Sequence, residues 1–294
     1  MKKPLVRIIK GNAGLAAAKG RKGVYMFGTR LISGIVLVIL SLIFVGTGGS
    51  LLLAVTEVIS LIGLFELYRA LHIQKSPMAI AGYLAAAAYF GFLWISNTSY
   101  LMMVFIGFLM VCMTIYVVTF PKYKTEEVTG AVFGLLYVPV MLSYLYLTRQ
   151  MPDGNYIVWL IFLSSWGCDT CAYCVGMLFG KHRLAPVLSP KKSIEGAVGG
   201  VAGAALLGFL YAGIFKDNML NLVNPQAACA LACAIAAVIS QIGDLAASAI
   251  KRNHDIKDYG HLIPGHGGIL DRFDSMIFTA PAIFFAVSLV DKLF

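Results

Sequence analysis

Apolar residues in this chain come in long blocks rather than in alternation with polar ones, and nine of the blocks can be drawn at membrane-spanning length. They run over residues 31–49, 50–68, 78–96, 100–119, 128–147, 156–178, 197–215, 226–249 and 270–290. A run of about 20 apolar residues crosses a bilayer as a helix, because every backbone N–H and C=O must find its partner inside the segment where there is no water. The separators read as connections: "RALHIQKSP", "SNTS", "PKYKTEE", "TRQMPDGN", "GKHRLAPVLSPKKS" and "KDNMLNLVNPQ". The least marked boundary is "VGTGGS", a Gly/Ser turn between the first two blocks, and Glu57 and Glu66 lie inside the second. The pattern predicts an all-α, polytopic integral membrane protein of about nine transmembrane helices.

Composition agrees, with 59% hydrophobic residues and only 13% charged in 294, where a soluble domain carries roughly a quarter charged. Charge then adds orientation, since Lys and Arg are retained on the cytoplasmic side. With nine crossings, 20 of the 23 Lys and Arg residues fall on one set of connections, leaving Arg149, Lys216 and Lys292 on the other. The N-terminus is therefore expected in the cytoplasm and the C-terminus outside, with the polar clusters near 181–192 and 251–272 on the cytoplasmic face. A miscount of one helix between those clusters would put them on opposite faces. The net charge of +9 points to anionic lipid headgroups and phosphorylated substrates rather than nucleic acid. The first block is followed by eight others rather than by a cleavage site, so a retained first helix is expected.

No repeat period, low-complexity linker or separate soluble domain is visible, so residues 1–294 read as a single membrane domain. Residues 1–150 are mostly apolar and read as scaffold, whereas polar residues concentrate after 165 and mark 151–294 as the catalytic helices and loops. Six cysteines sit in or at the ends of apolar blocks, and the C-x-x-C-x-x-C spacing of "CDTCAYC" turns steadily around a helix without a nearby fourth cysteine. Small packing residues are the expectation there, rather than an iron–sulfur ligand set.

The eighth block, "AVISQIGDLAASAIKR", places Asp244 near its cytoplasmic end. An ionised aspartate at a bilayer centre costs about 2.5–3.5 kcal/mol on insertion scales and so needs a partner or a wet cavity. Ser248 lies about 40° from it around the helix and Lys251 about 20°, so one face carries carboxylate, hydroxyl and ammonium. Either Lys251 snorkels to neutralise Asp244 for packing, or the face is a site. The ninth block opens "GHGGILDRFDS", with Asp271 and Asp274 three apart on a first helical turn beside His266 and Arg272. Dipole capping accounts for one of the two carboxylates. Converging carboxylates at a membrane face are also the hard oxygen ligands of Mg²⁺, which takes one or two of them with waters and substrate phosphates.

Glycines in "PGHGG" either permit a tight turn into the helix or bring backbone N–H groups against a phosphate. In "SPKKSIEGAVGG", Ser189, Lys191, Lys192 and Ser193 precede a helix whose Gly196, Gly199, Gly200 and Gly203 form small-xxx-small pairs suited to close helix packing. The lysines there are topology signals or phosphate ligands. Asp169 is a further acid within an apolar block, with Tyr173 four positions on. Glu57, Glu66, His72 and Glu195 are weaker candidates, equally explained by exposure or by helix-end placement.

"SAIKRNHDIKDYGHLIPGHGGILDRFD", residues 248–274, resembles the signature of the phosphatidate cytidylyltransferases, also called CDP-diacylglycerol synthases. Ser248, Lys251, Arg252, Lys257, Asp258, Gly260, Pro264, His266, Gly267, Gly268, Asp271, Arg272 and Asp274 all fall in register with it. "DTCAYCVGMLFGKHRLAPVLSPKKSIEGAVGG" is similar to a second region of that family. The resemblance implies that CTP and phosphatidic acid react to CDP-diacylglycerol and pyrophosphate, with Mg²⁺ required, alone or beside a second cation, in a homodimer of the inner membrane whose site faces the cytoplasm. It implies Asp244 and Asp271 as metal-holding carboxylates, with Asp274 and Asp169 behind them as outer ligands or orienters. Lys191, Lys192, Lys251, Arg252 and Arg272 are then expected on the triphosphate and the lipid headgroup, with Ser189, Ser193 and Ser248 donating hydrogen bonds and His266, Gly267 and Gly268 lining the substrate site. A CTP-dependent kinase of a polyprenol or phytol is the rival of like chemistry, and a secondary transporter the rival of another class.

Overall fold

The computed structural model describes residues 32–265 and 267–290, so the expectation for His266 lies outside the described residues. The fold is helical. It comprises α1 (Ile32–Thr47), α2 (Gly49–Ala70), α3 (Pro77–Trp94), α4 (Leu101–Val118), α5 (Thr125–Arg149), α6 (Gly154–Phe179), α7 (Ile194–Phe215), α8 (Pro225–Asn253) and α9 (Leu270–Val290). Among the described residues, eight helices are long and apolar enough to cross a membrane and α1 is a shorter apolar one. The apolar blocks of the sequence and these helices coincide closely, and the weakly marked first boundary is a true break. Gly48 closes it with φ +63°, a left-handed conformation that a side chain resists, and a Cβ there would also sit 2.8 Å from the Arg149 guanidinium. Arg149 donates from Nε to the Val45 carbonyl at 3.2 Å, satisfying an end carbonyl of α1.

Helix starts follow local chemistry. Ser76 Oγ accepts from Ala79 N ahead of α3, and Asn224 Oδ1 from Ala227 N ahead of α8, each before a proline whose missing N–H costs nothing in a first turn. Two helices widen to five-residue π segments, Leu136–Val140 around Pro139 in α5 and Leu163–Gly167 in α6. The second carries Ser165 and Trp166 into the wall of the cavity described below.

The C-terminal helices pack most closely. The α7 glycines face the "CDTCAYC" segment of α6: a Cβ at Gly203 would meet Cys171 at 2.6 Å, one at Gly200 would meet Ala172 at 2.9 Å, and one at Gly199 would meet Val175 at 2.6 Å. The small residues therefore do what the spacing predicts, letting two backbones approach. Cys168 and Cys171 are part of that seam, and all six cysteines are free thiols. α9 runs through the largest core cluster, burying Leu270, Phe273, Met276, Ile277, Ala280 and Ile283. α4, in contrast, buries only Phe108 and Cys112 and leaves most of its surface for lipid.

The connections gather at two ends of the bundle. Asp153, after α5, accepts from Asn221 N and Nδ2 at 2.7 and 2.8 Å, joining two connections at one end. At the other, Arg69 of α2 donates to the Tyr259 carbonyl and the His72 and His254 rings lie 6.3 Å apart, joining the α2–α3 and α8–α9 connections. The α6–α7 connection is more ordered than the loop expected there. Residues Arg183–Ala185 (β1) and Ser189–Ser193 (β2) form an antiparallel hairpin. Its base is stitched by Glu195, whose carboxylate accepts from Lys181 N at 3.1 Å, His182 N at 3.2 Å and His182 Nδ1 at 2.6 Å.

Candidate active site

A cavity of about 580 Å³ opens between α6, the hairpin, α7, α8 and α9, a volume within the range of small-molecule sites. Asp169 of α6, Asp244 of α8 and Asp271 and Asp274 of α9 line it, with Lys191, Lys192 and Ser193 of the hairpin and Arg272 of α9. Eight of the residues singled out by sequence thus meet at one place from four separate segments. Helix geometry explains the convergence on α9, where positions three apart share a face.

The charges are paired across elements rather than along them. Lys251 does not turn back to Asp244 on its own helix; its Nζ lies 2.9 Å from Asp271 Oδ1. Asp244 instead pairs through Oδ2 with Lys192, which reaches down from the hairpin. The Asp271–Lys251 pair is buried, the two side chains being 3% and 14% exposed, whereas Lys192 and Asp244 keep about a quarter of their surface. Asp271 is further engaged through Oδ2, which accepts from Tyr259 N at 2.8 Å and Gly268 N at 3.0 Å. Asp274 Oδ1 accepts from Ser275 N at 2.8 Å. Asp244 lies within electrostatic reach of both Asp169 and Asp274, which makes the cavity floor a zone of concentrated negative charge.

Positive groups offset it, and two polar atoms of the wall are left without partners. Among the described residues Arg272 Nε is buried with no hydrogen-bond partner, and so is Ser165 Oγ, both on the cavity wall. Buried donors left without partners cost about 1–3 kcal/mol each, so an orphaned guanidinium nitrogen in a cavity marks a place for an acceptor. Ser193 Oγ accepts from Gly196 N at 3.1 Å as the cap of α7, which leaves its O–H free to donate into the cavity it lines.

The other expected residues stand behind or beside the cavity. Gly268 gives its N–H to Asp271, and the next two N–H groups, Ile269 and Leu270, go to Glu66 Oε1 and Oε2 at 3.2 and 2.8 Å. Those backbone donors are already spent inside the protein, and the glycines serve the tight turn: Gly267 has φ +90°, and a Cβ there would sit 2.8 Å from Asp271 Oδ2. Ser189 sits at the start of β2, Ser248 is half-buried on α8, and Arg252 is exposed at the end of α8; none lines the cavity. Tyr259 is buried and its phenol is raised well above the ordinary tyrosine value, chiefly by burial, so it stays a donor, to Ala247 O at 3.1 Å.

Several lining residues were not anticipated: Ser165, Trp166, Gln241 and Ser275. Gln241 had a legible signal, standing one turn before Asp244 on the same face of α8; its Nε2 donates to Ala197 O at 3.0 Å. Ser165 and Trp166 had none, because the π segment rotates their helix face out of the ordinary period.

A cavity lined by acids, lysines and an arginine among apolar helices has the chemistry to take a phosphorylated ligand. The chain belongs to the cytidylyltransferase family, whose profile matches residues 28–290. It is 31% identical over 261 residues to the phosphatidate cytidylyltransferase of Staphylococcus haemolyticus, covering 86% of this chain and 96% of that one. It is 36% identical over 195 residues to that of Rickettsia felis, covering 66% and 83%, and 34% identical over 173 residues to that of Thermotoga maritima, covering 58% and 63%.

Proposed function

We propose that this chain is itself a phosphatidate cytidylyltransferase, joining CTP to phosphatidic acid with release of pyrophosphate, and that its two substrates meet in the cavity between α6 and α9. The observation that carries the reading is one cavity holding four aspartates with Lys191, Lys192 and Arg272, whose buried Nε has no partner among the described residues. A phosphomonoester oxygen of phosphatidate attacks the α-phosphorus of CTP, the bond from that phosphorus to the β-phosphate oxygen breaks, and pyrophosphate leaves with the electron pair. The attacking phosphate is ionised near neutral pH, so no general base is needed, and the protein's task is to position and neutralise. Lys191, Lys192 and Arg272 face the phosphates, Arg272 with a planar fork suited to two phosphate oxygens. Ser193 donates from the end of the hairpin. Arg252, exposed past the end of α8, and Ser189 and Ser248 outside the cavity wall fit the lipid headgroup's path rather than the reacting centre.

The donor set suits Mg²⁺. Asp244 and Asp274 each keep an oxygen with no protein partner among the described residues, and Asp271 keeps a lone pair on Oδ1 beside Lys251. No three His, Cys, Asp or Glu side chains among the described residues converge tightly enough to hold an ion unaided, which fits an ion completed by substrate phosphates. Bound there, Mg²⁺, alone or with a second cation, would neutralise phosphoryl oxygens as charge develops on them. Lys192 and Lys251 hold two of these carboxylates as cations in their own right.

The expectation from the sequence that 20 of the 23 basic residues fall on one set of connections, the set that includes the hairpin and the α8–α9 connection, supports a site facing the cytoplasm from the plasma (inner) membrane, with phosphatidate arriving laterally from the inner leaflet. The family resemblance also favours a homodimer. The test is CTP labelled in its α- or γ-phosphate, given with phosphatidate to the purified protein in lipid. Label should pass to the lipid from the α position and leave with pyrophosphate from the γ position. A lipid labelled from the γ position would make the chain a kinase, and substrate flux in proteoliposomes without a labelled lipid would make it a transporter.

A further inference from the structure

Glu66 lies in α2, within the half of the chain that reads as scaffold, yet it is only 4% exposed and its carboxylate is directed at the start of α9. The first turn of a helix has N–H groups with no partner inside it, and here two carboxylates divide them. Asp271 takes Gly268 N, and Glu66 takes Ile269 N and Leu270 N at 3.2 and 2.8 Å. Charge-assisted bonds at the positive end of a helix are among the stronger contacts a buried carboxylate can make. The same carboxylate fills the space beneath the turn. A Cβ added at Gly268 or Gly260 would collide with it, and at Gly268 the three nearest atoms all belong to Glu66. One turn further along α2, Arg69 grips the carbonyl of Tyr259, whose N–H is held by Asp271.

We propose that Glu66 is a positioning residue of the nucleotidyl-transfer site: its carboxylate caps α9 and supports the glycine turn, and thereby sets the rotation and height at which α9 presents Asp271, Arg272 and Asp274 to the cavity. The inference rests on that cavity being the reacting centre. α9 is held along its length by α8, where a Cβ at Gly243 would meet Phe278 at 2.8 Å, whereas its first turn is held by the carboxylates of Glu66 and Asp271. α2 supplies the first of these from outside the catalytic helices. The carboxylate does not line the cavity.

The experiment compares wild type, Glu66→Gln, Gly268→Ala and the double variant Gly268→Ala/Glu66→Asp, each purified in detergent with lipid. Three quantities are read: turnover per folded molecule with its KM for CTP, thermal unfolding, and backbone amide exchange at Ile269 and Leu270. Positioning predicts that Glu66→Gln lowers kcat by about 10- to 100-fold with a smaller change in KM, while the two amides exchange faster. It also predicts that Gly268→Ala is impaired alone and is partly rescued when the shorter aspartate makes room for the new methyl. A role in stability alone lowers the unfolding temperature and leaves kcat per folded molecule intact, and that result overturns the proposal. So does failure of the shortened acid to improve Gly268→Ala. If Glu66→Gln does not fold, the Gly268 pair still decides, because both keep a carboxylate. If wild type transfers no cytidylyl group, the functional reading fails, while amide exchange and the rescue of thermal stability still report whether Glu66 holds the turn.

Discussion

Replacing Asp271 by Asn removes one charge and almost no volume, which makes it the most informative single change in the site. In the wild type Oδ1 meets Lys251 Nζ at 2.9 Å and Oδ2 accepts two backbone N–H groups. An asparagine can keep its oxygen on Tyr259 N and Gly268 N, but its amide nitrogen then faces the Lys251 ammonium, donor against donor. With the ammonium stem only 14% exposed, the lysine is left as an uncompensated buried cation, and breaking such a pair costs about 3–5 kcal/mol. Removing both partners together, as Asp271→Asn/Lys251→Met, leaves no stranded charge and should recover most of that loss. Turnover should not recover, because a carboxylate of the cavity and the cation that holds it have both gone. The assay is thermal unfolding of the two single variants and the double in detergent, beside incorporation of labelled CTP into lipid. Equal stability of wild type and Asp271→Asn would refute the buried pair, and near-normal turnover in the stabilised double variant would refute a chemical role for Asp271.

Other outcomes follow from the same geometry. Arg272→Lys keeps the charge but loses the planar fork whose Nε is unpartnered, and should raise the KM for CTP or phosphatidate by about tenfold, the equivalent of one charge-assisted hydrogen bond, as steady-state kinetics will read. Glu195→Gln weakens the clasp on Lys181 and His182 and should lower kcat/KM by loosening the hairpin that carries Lys191 and Lys192, with little change in unfolding temperature because the clasp is largely at the surface. Chelation of divalent ions should abolish cytidylyl transfer and Mg²⁺ should restore it. Persistence of turnover in chelator would remove the metal role from Asp244 and Asp274.

Much of the site was legible in the letters. Asp169, Lys191, Lys192, Ser193, Asp244, Asp271, Arg272 and Asp274 were all singled out and all line one cavity. They could be found because a charged residue in an apolar run is expensive and needs a reason, whatever the fold around it. Glu66 obeyed the same rule and was still set aside, because its partners are backbone N–H groups more than 200 positions away and backbone atoms leave no mark in a sequence. The pairing of Lys251 was left open for a related reason. Periodicity places Lys251 and Asp244 on one face of α8 but says nothing of an acid on α9 that approaches more closely.

Hydrophobic block length determined the helices and, through their alternation, which connections gather at one end, because the bilayer imposes its constraint on each segment separately. Which acid meets which base, that Glu66 caps the last helix, and that a π segment carries Ser165 and Trp166 to the cavity were decided only when the helices packed. Those outcomes depend on the rotation of each helix about its axis against its neighbours. That rotation is set by close contacts such as the α7 glycines on Cys171 and Val175, between residues far apart in the chain.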